Sequence, residues 1–562
     1  MHRLNPLLNT DFYKCCHASQ YDPRIVKIVS YYTPRMSRID GRDSIVLFGV
    51  QGTIKEWLID TFNEWFFKRP LQEVVDEYNN YVGNGIGEDT YDIQRIIALH
   101  KLGYLPLQIR SLKEGSKVNI KVPMFEISNT KPEFAWVTNA VESLISANTW
   151  HPMTVATIGD IYFEVATEAF KLTVDDNIRP ETGMCDFAFR GEESPEGGTR
   201  ASAGWLLSFA YTATVSALAY YEDYYNTPAK LGLAHGLPST EHSVMCSSAA
   251  IDGDEITMIK RLLTKVYPNR SFTMVSDSYD YWGLITNLLP QCKEEIMSHK
   301  GFFGIRGDSG DPVDIVCGEL DVPMYESVLE ARKAQFGIPA NATGSQIFRV
   351  GDDFYEGFVE GYMGDNQEWL SNVSVEKYEP SVEELGTVEM LYRLFGGHIN
   401  TKGYKVINEH LKAVYGDSIT ITRAKEIYRR LARKGFAANN VSLGVGSFSY
   451  QAIEQVQNGR RVLSPLTRDT YGIACKATYC ELEDGKEIPI FKNPKTDKDN
   501  FKKSQKGCCV IYKDDKGQYV YEDGFSFRES LDDKRNLLQT VFYEGDCFNE
   551  TTLVEMRKEL HG

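Results

Sequence analysis

Apolar and polar residues alternate in different rhythms along this chain. Over the first 130 residues, β-branched and alternating runs predict strands at Lys27–Tyr32 and Ser44–Val50. An amphipathic spacing predicts a helix at Thr53–Phe67. Leu107–Ser128 holds two β-like runs around a turn at Glu114-Gly115-Ser116. After Pro132 the spacing becomes helical, at about 133–150, 154–173 and 201–223. Short apolar runs then alternate with helical ones. Phe272–Ser276 reads as a strand before a helix at Tyr279–Leu289, and Phe302–Ile305 as a further strand. Met390–Phe395 precedes a helix at Tyr404–Val414, and Val441–Gly444 precedes one at Phe448–Val456. Such alternation implies parallel βα units.

Polar or glycine-rich clusters end many of these runs: Cys185–Arg190, Pro238–Ser243, Ser276–Ser278, Arg306–Gly310, Gly396–His398 and Gly444–Ser447. Any one of them is ordinary turn chemistry, which favours Gly, Ser and Asp. Six together fit a (β/α) barrel, whose active site is assembled at the strand C-termini.

At 562 residues the chain has room for about two to four domains. Hydrophobic residues are 42% and charged residues 25%, which excludes a mainly disordered chain. The net charge of −17 argues against a generic nucleic-acid binder but leaves room for a local basic pocket. The start, MHRLNPLLNTDFYKCC, lacks a secretory h-region. Ala201–Tyr221 carries no charge over 21 residues, the length of a membrane span. Its interrupting Ser, Thr and Tyr residues favour a buried helix, so no membrane association is expected. Eleven cysteines without a CxxC predict reduced thiols and a cytoplasmic protein. Residues 318–386 hold 14 acidic and 4 basic residues and read as an acidic insertion, with Gly337–Ser345 loop-like. Lys492, Lys495, Lys498, Lys502, Lys503 and Lys506 form a basic stretch, by itself a solvated loop.

Arg190, Arg306 and Arg468 sit at strand or loop ends, where a guanidinium fork matches phosphate oxygens. Gly444-Val445-Gly446-Ser447 precedes a predicted helix, whose N–H groups would bind phosphate. Asp277 and Asp308 are able to hold Mg²⁺ through water, to bind ribose hydroxyls, or to cap helices. His242 suits a nucleophile, a general acid/base or a core histidine. Phe187 suits either the core or a stack against a flat aromatic ligand.

In this order, N-T-D-F-Y-K-C-C-H at Asn9–His17, D-F-A-F-R-G at Asp186–Gly191, T-E-H-S at Thr240–Ser243, V-S-D-S-Y-D at Val275–Asp280, I-R-G-D-S-G-D-P at Ile305–Pro312 and L-T-R-D at Leu466–Asp469 form a pattern. The pattern resembles the nicotinamide phosphoribosyltransferases over most of the chain. The resemblance implies a type II phosphoribosyltransferase fold, α/β, with an incomplete (β/α) barrel and a β-rich domain formed by both chain ends. We place the β-rich start at 1–150, the barrel with its insertion at 151–465 and the returning segment at 466–562. It also implies a homodimer with shared active sites, joining nicotinamide to phosphoribosyl pyrophosphate and releasing pyrophosphate. Mg²⁺ would accompany the pyrophosphate, and ATP would be coupled through a phosphorylated His242. Phe187 and a Tyr13 from the other subunit would sandwich the pyridine. Arg306 and Asp308, with Gly307 between them, would lie by base and ribose, and Arg190 and His242 would face pyrophosphate. Gly446, Ser447 and Arg468, the glycines Gly396 and Gly397, and Lys476, Lys492 and Lys502 fall on phosphate-binding positions.

Pyrophosphate departure leaves positive charge at the ribose C1, so fixed cations and a carboxylate matter more than a strong base. Three positions depart from the family pattern: Ala213 for an Asp that reads the amide, Gly397 for a ribose-binding Asp, and Cys185 for a His. Ala213 opens nicotinate as an alternative base, with Arg200 a candidate reader of its carboxylate. A non-catalytic nucleotide- or partner-binding relative is the third reading.

Overall fold

The computed structural model describes residues 4–335, 344–363, 365–366, 369–416, 418–457, 460–494 and 503–562. It divides into two compact units, Met1–Phe163 with Asp186–Gly236 and Gly446–Gly562, and Glu164–Cys185 with Leu237–Val445. The expected partition into 1–150, 151–465 and 466–562 groups 186–236 with the barrel instead.

The first unit is built on a sheet in the order Glu487–Pro489, Ala474–Leu482, Ile25–Thr33, Phe125–Asn129, Leu107–Ser111, Gln539–Tyr543, Asp546–Cys547. Its pairings are antiparallel, with Tyr31 opposite Lys476 and Ile109 opposite Phe542, so both chain ends contribute strands. Leu107–Ser128 contains three strands rather than two, because Lys117–Asn119 turns away to pair with Ser44–Val46. Residues 50–67 are helical, as their amphipathic spacing requires. Val46, Phe48, Leu206, Tyr221, Leu553 and Met556 share one buried cluster, which anchors the last helix, Leu553–His561.

The two helices expected at 133–150 and 154–173 form one helix, Glu142–Thr173, with Pro152 inside it. Gly204 is needed beside it, since a Cβ there would lie 2.6 Å from the Pro152 carbonyl oxygen. The single helix expected at 201–223 is broken into Pro195–Trp205, the short strand Tyr211–Thr212 and Val215–Tyr224. Its hydroxyls explain the break: Ser202 bonds Thr214, and Thr212 and Thr214 donate to Asp186, so these groups are used across a turn. Among the described residues no helix is long and apolar enough to cross a membrane.

The second unit carries the half-barrel. Val441–Val445, Leu411–Tyr415, Phe303–Gly307 and Phe272–Val275 are successive neighbours and pair in parallel. Three expectations are corrected here. Met390–Phe395 belongs to a helix, Thr387–Phe395, because Val388, Leu391 and Phe395 are buried at helical spacing. The expected helix at Tyr404–Val414 is two strands, Lys405–Ile407 and Leu411–Tyr415, where β-branched and aromatic residues outweigh helical spacing. The expected helix at Phe448–Val456 shortens to Phe448–Gln451 before the strand Ala452–Gln457. The described part of the acidic insertion forms a sheet of Met324–Tyr325, Gly344–Val350, Asp353–Met363 and Trp369–Tyr378. Its expected loop from Gly337 lies outside the described residues up to 343.

Candidate active site

In the second unit, Phe303 and Ile305 are fully buried, and the alternation of the strand turns Arg306 to the other face. Gly304 lets the neighbouring strands close in, since a Cβ there would meet the Thr273 methyl at 2.7 Å. Arg306 donates from Nη1 to Ser239 Oγ at 3.4 Å and from Nη2 to Asp308 Oδ2 at 3.3 Å. Its Nε is buried without a partner, so one donor stays available. Asp277 organises the turn: its Oδ2 accepts from the Asp308 backbone N–H at 3.1 Å and from Ser309 Oγ at 2.6 Å. Its other oxygen, Oδ1, is buried with no hydrogen-bond donor and lies 3.9 Å from His242 Nε2. That orphaned carboxylate oxygen suits a hydrated divalent cation. His242 opens the helix His242–Asp252, is half-exposed, and contacts Ser278 Oγ through Nδ1 at 3.2 Å. Gly307 is buried, and a Cβ on it would press on Ile315 and Tyr415 at 3.3 Å. His242, Asp277, Arg306, Gly307 and Asp308 are thus brought together. Sequence reasoning marked the clusters that hold Ser239 and Ser309 without giving either a role, and it missed Gly416. A Cβ at Gly416 would lie 2.9 Å from Asp308 Oδ1, so this glycine ends the Leu411–Tyr415 strand against the same network. The misreading of that strand as a helix hid it.

Gly396 and Gly397 do not end a barrel strand. Gly396 caps the helix Thr387–Phe395 with φ at 75°, and Gly397 starts a strand paired with Lys405–Ile407. A helix C-terminus carries partial negative charge, the wrong sign for a phosphate.

In the first unit, Asp186 is fully buried and fixes the loop that follows it. It accepts from the Ala188 N–H at 3.0 Å, Thr212 Oγ1 at 2.6 Å, Thr214 Oγ1 at 3.1 Å and the Tyr450 hydroxyl at 3.0 Å. Charge-assisted bonds of this kind hold a loop firmly. Phe187 is partly buried, while Arg190 is exposed on the turn Phe189–Gly191 and makes no hydrogen bond or ion pair among the described residues. Gly191 packs on Ser447, whose Oγ would lie 2.0 Å from an added Cβ. Its carbonyl accepts from Gln451 Nε2 at 2.7 Å. Ser447, next to Gly446, therefore meets the Arg190 loop. The helix they precede has only four residues, too short for the expected dipole contribution.

Ala213 is exposed, and its backbone N–H bonds the Asp186 carbonyl at 2.8 Å. Arg200 is buried and committed to Glu56, at 3.2 Å from Nε and 2.9 Å from Nη2. It is therefore not the free carboxylate reader weighed from the sequence. Glu192 is pushed up to about 8 by burial and by the charges of Glu193 and Asp186. Arg468 is exposed and 3.5 Å from Asp469. Lys476 lies 4.0 Å from Glu142, with burial pulling its ammonium below the usual range. Lys492 is exposed, and Lys502 lies outside the described residues. Tyr13 is 60% exposed on the helix Phe12–Gln20.

A family model described as the nicotinate phosphoribosyltransferase (NAPRTase) family matches residues 183–546. One described as nicotinamide phosphoribosyltransferase, N-terminal domain, matches residues 5–109. A protein of Acinetobacter baylyi named nicotinamide phosphoribosyltransferase is 33% identical, covering 99% of this chain and 97% of its own. A Xanthomonas campestris protein of the same name is 27% identical over 99% of this chain and 98% of its own. Among solved structures, nicotinate-nucleotide pyrophosphorylase from Pyrococcus furiosus matches with a TM-score of 0.50 and 11% identity, over 99% of this chain and 95% of that one. At that identity the match speaks for the fold.

Proposed function

The chain belongs to the nicotinate phosphoribosyltransferase family, and from that premise we propose that it is a pentosyltransferase joining nicotinamide to phosphoribosyl pyrophosphate. The products are nicotinamide mononucleotide and pyrophosphate, a step of NAD biosynthesis. The observation that carries this reading is the full-length similarity to proteins named for nicotinamide, together with the match to the nicotinamide N-terminal domain.

The pyridine nitrogen is already a nucleophile, so the protein's part is to position and to stabilise charge. In the second unit, Arg306 supplies a fixed cation and Asp308 a carboxylate for the ribose side. Asp277 holds both through the turn. Mg²⁺ would be held by Asp277 and Asp308, where it would neutralise charge on the leaving pyrophosphate. ATP would meet His242, whose half-exposed imidazole is able to accept a phosphoryl group. In the first unit, Phe187 offers a ring for the pyridine and Arg190 an unpaired guanidinium for phosphate. Ser447, Arg468, Lys476 and Lys492 add donors for phosphate oxygens. In a homodimer each subunit would lend its exposed Tyr13 ring to its partner. All eleven cysteines are free of disulfides, which supports a reducing, cytoplasmic setting.

Nicotinate remains the second reading because Ala213 offers no side-chain acceptor for an amide. The commitment of Arg200 to Glu56 removes the cation that would have favoured it. The test is product formation by mass spectrometry, with phosphoribosyl pyrophosphate, Mg²⁺ and equal nicotinamide and nicotinate, with and without ATP. Nicotinamide mononucleotide as the main product supports the proposal. Nicotinate mononucleotide transfers it to the second reading, and no product with either base refutes both in favour of a binding protein.

A further inference from the structure

One cluster of metal-ligating side chains stands outside the roles given above. His151, Glu192 and Glu193 each offer one ligand atom, all within 4.8 Å of one another. They come from two elements of the same unit. His151 lies on the helix Glu142–Thr173, and the two glutamates follow Gly191 and precede the helix Pro195–Trp205.

The second observation concerns Glu192. Its side chain is completely buried, and neither carboxylate oxygen has a well-formed hydrogen bond; Gln451 makes only a weak contact to it, its amide donating to the Gly191 carbonyl at 2.7 Å. The nearest basic atom is His151 Nε2, 3.7 Å from Oε2, and no lysine or arginine pairs with this carboxylate among the described residues. Native structures rarely leave both oxygens of a buried carboxyl unmatched, because desolvation is then uncompensated. A carboxyl so placed is compensated by a proton or by a divalent cation, and the adjoining ligand atoms of His151 and Glu193 single out the cation. His151 is itself 8% exposed, and its Nε2 has only a 3.3 Å contact to the Tyr450 carbonyl. The packing leaves room for the third ligand: a Cβ at Gly197 would lie 2.0 Å from Glu193 Oε1, so glycine is what allows that carboxylate to fold back here. Glu193 is exposed and gives an ion a way in.

We infer that His151, Glu192 and Glu193 form a binding site for a first-row divalent transition-metal ion. One imidazole nitrogen with two carboxylates suits Mn²⁺ or Zn²⁺, whereas Mg²⁺ prefers oxygen ligands and its own waters. An ion there joins the helix Glu142–Thr173 to the segment that carries Phe187 and Arg190, and so fixes that segment. It is separate in its residues from the Asp277 carboxylate assigned to Mg²⁺.

The experiment uses the full chain, stripped with chelator and dialysed, with no substrate present. Mn²⁺ is titrated while the free-ion electron-paramagnetic-resonance signal is followed, and Zn²⁺ is then added as competitor. The expected result is one tight equivalent that Zn²⁺ displaces. Glu192→Gln and His151→Gln should each weaken it at least tenfold, in line with the usual cost of losing a contact to the metal site. Glu193→Gln, a change at an exposed position, covers the case in which a buried variant does not fold, and circular dichroism checks each protein. Asp277→Asn should leave this equivalent unchanged. Absence of a tight equivalent, or equal affinity in the folded Gln variants, overturns the inference. Either result leaves the product assay standing on its own.

Discussion

Adding one methyl group at position 191 probes how the Arg190 loop is held. A Cβ on Gly191 would lie 2.0 Å from Ser447 Oγ and 2.8 Å from Ser447 Cβ. Rotating the Ser447 hydroxyl relieves the first clash but not the second, so the backbone of one segment must move. Opening the remaining 2.8 Å contact to about 3.8 Å, an ordinary carbon–carbon separation, requires a shift of about 1 Å. A misplacement of about 1 Å in a positioning group costs roughly 10²-fold in rate. Gly191→Ala should therefore lower kcat/KM for phosphoribosyl pyrophosphate about 100-fold. Ser447→Gly alone loses one hydroxyl donor and should cost about tenfold. The double variant removes the obstacle, so its activity should return to that of Ser447→Gly, a strongly non-additive cycle. The assay is steady-state kinetics on all four proteins, with circular dichroism to check folding. Normal turnover in Gly191→Ala, or a double variant no better than Gly191→Ala, would refute the reasoning.

Three other outcomes are expected. Arg306→Ala removes the guanidinium that Ser239 and Asp308 hold, and kcat/KM should fall about 10²–10³-fold; unchanged kinetics would remove Arg306 from the chemistry. Burial pulls Lys412 down to about 8 from 10.5, so between those values the unfolded chain binds a proton that the folded chain has released, and stability rises with pH. The slope is at most about 1.4 kcal/mol per pH unit. Lys412→Met should flatten it, as read from urea midpoints at about pH 8 and pH 10. Arg200→Gln breaks the buried pair with Glu56 and should destabilise by about 3 kcal/mol. It should leave the nicotinamide-to-nicotinate ratio of kcat/KM within about threefold, and a tenfold change would make Arg200 a reader of the base after all.

The chemistry-bearing turns were legible in sequence because their residues are close along the chain. Arg306 and Asp308 sit two apart and meet at 3.3 Å, and Asp186-Phe187-Ala188 closes on itself through the Ala188 N–H. What was not legible depended on partners far away. Asp186 is anchored by Thr212, Thr214 and Tyr450, and Arg200 is claimed by Glu56. No local pattern reveals such a claim. The half-barrel was visible as strand–helix alternation, but its Leu411–Tyr415 strand was not. Leu411, Ala413 and Val414 are buried in a short run whose periodicity does not separate strand from helix. The same ambiguity put a strand at Met390–Phe395 and so placed Gly396–His398 among the strand-end clusters.

Each unit presents its exposed chemistry by the same physical device. In one, the buried Asp186 carboxylate collects an N–H and three hydroxyls, and the turn it fixes carries Phe187 and the unpaired Arg190. In the other, Asp277, only 6% exposed, collects an N–H and a hydroxyl, and the turn it fixes carries Asp308 next to Arg306. A buried carboxylate is expensive unless donors surround it, so once surrounded it leaves the turn little freedom. Rigidity is what this reaction asks for. The nucleophile needs no activation, and charge develops at fixed places on ribose and pyrophosphate, so preorganised cations and carboxylates supply the stabilisation. The anchors therefore matter as much as the groups they present. Removing an anchor frees the turn in the ground state and the transition state alike, whereas Arg306→Ala deletes a charge that the proposed function puts where charge develops.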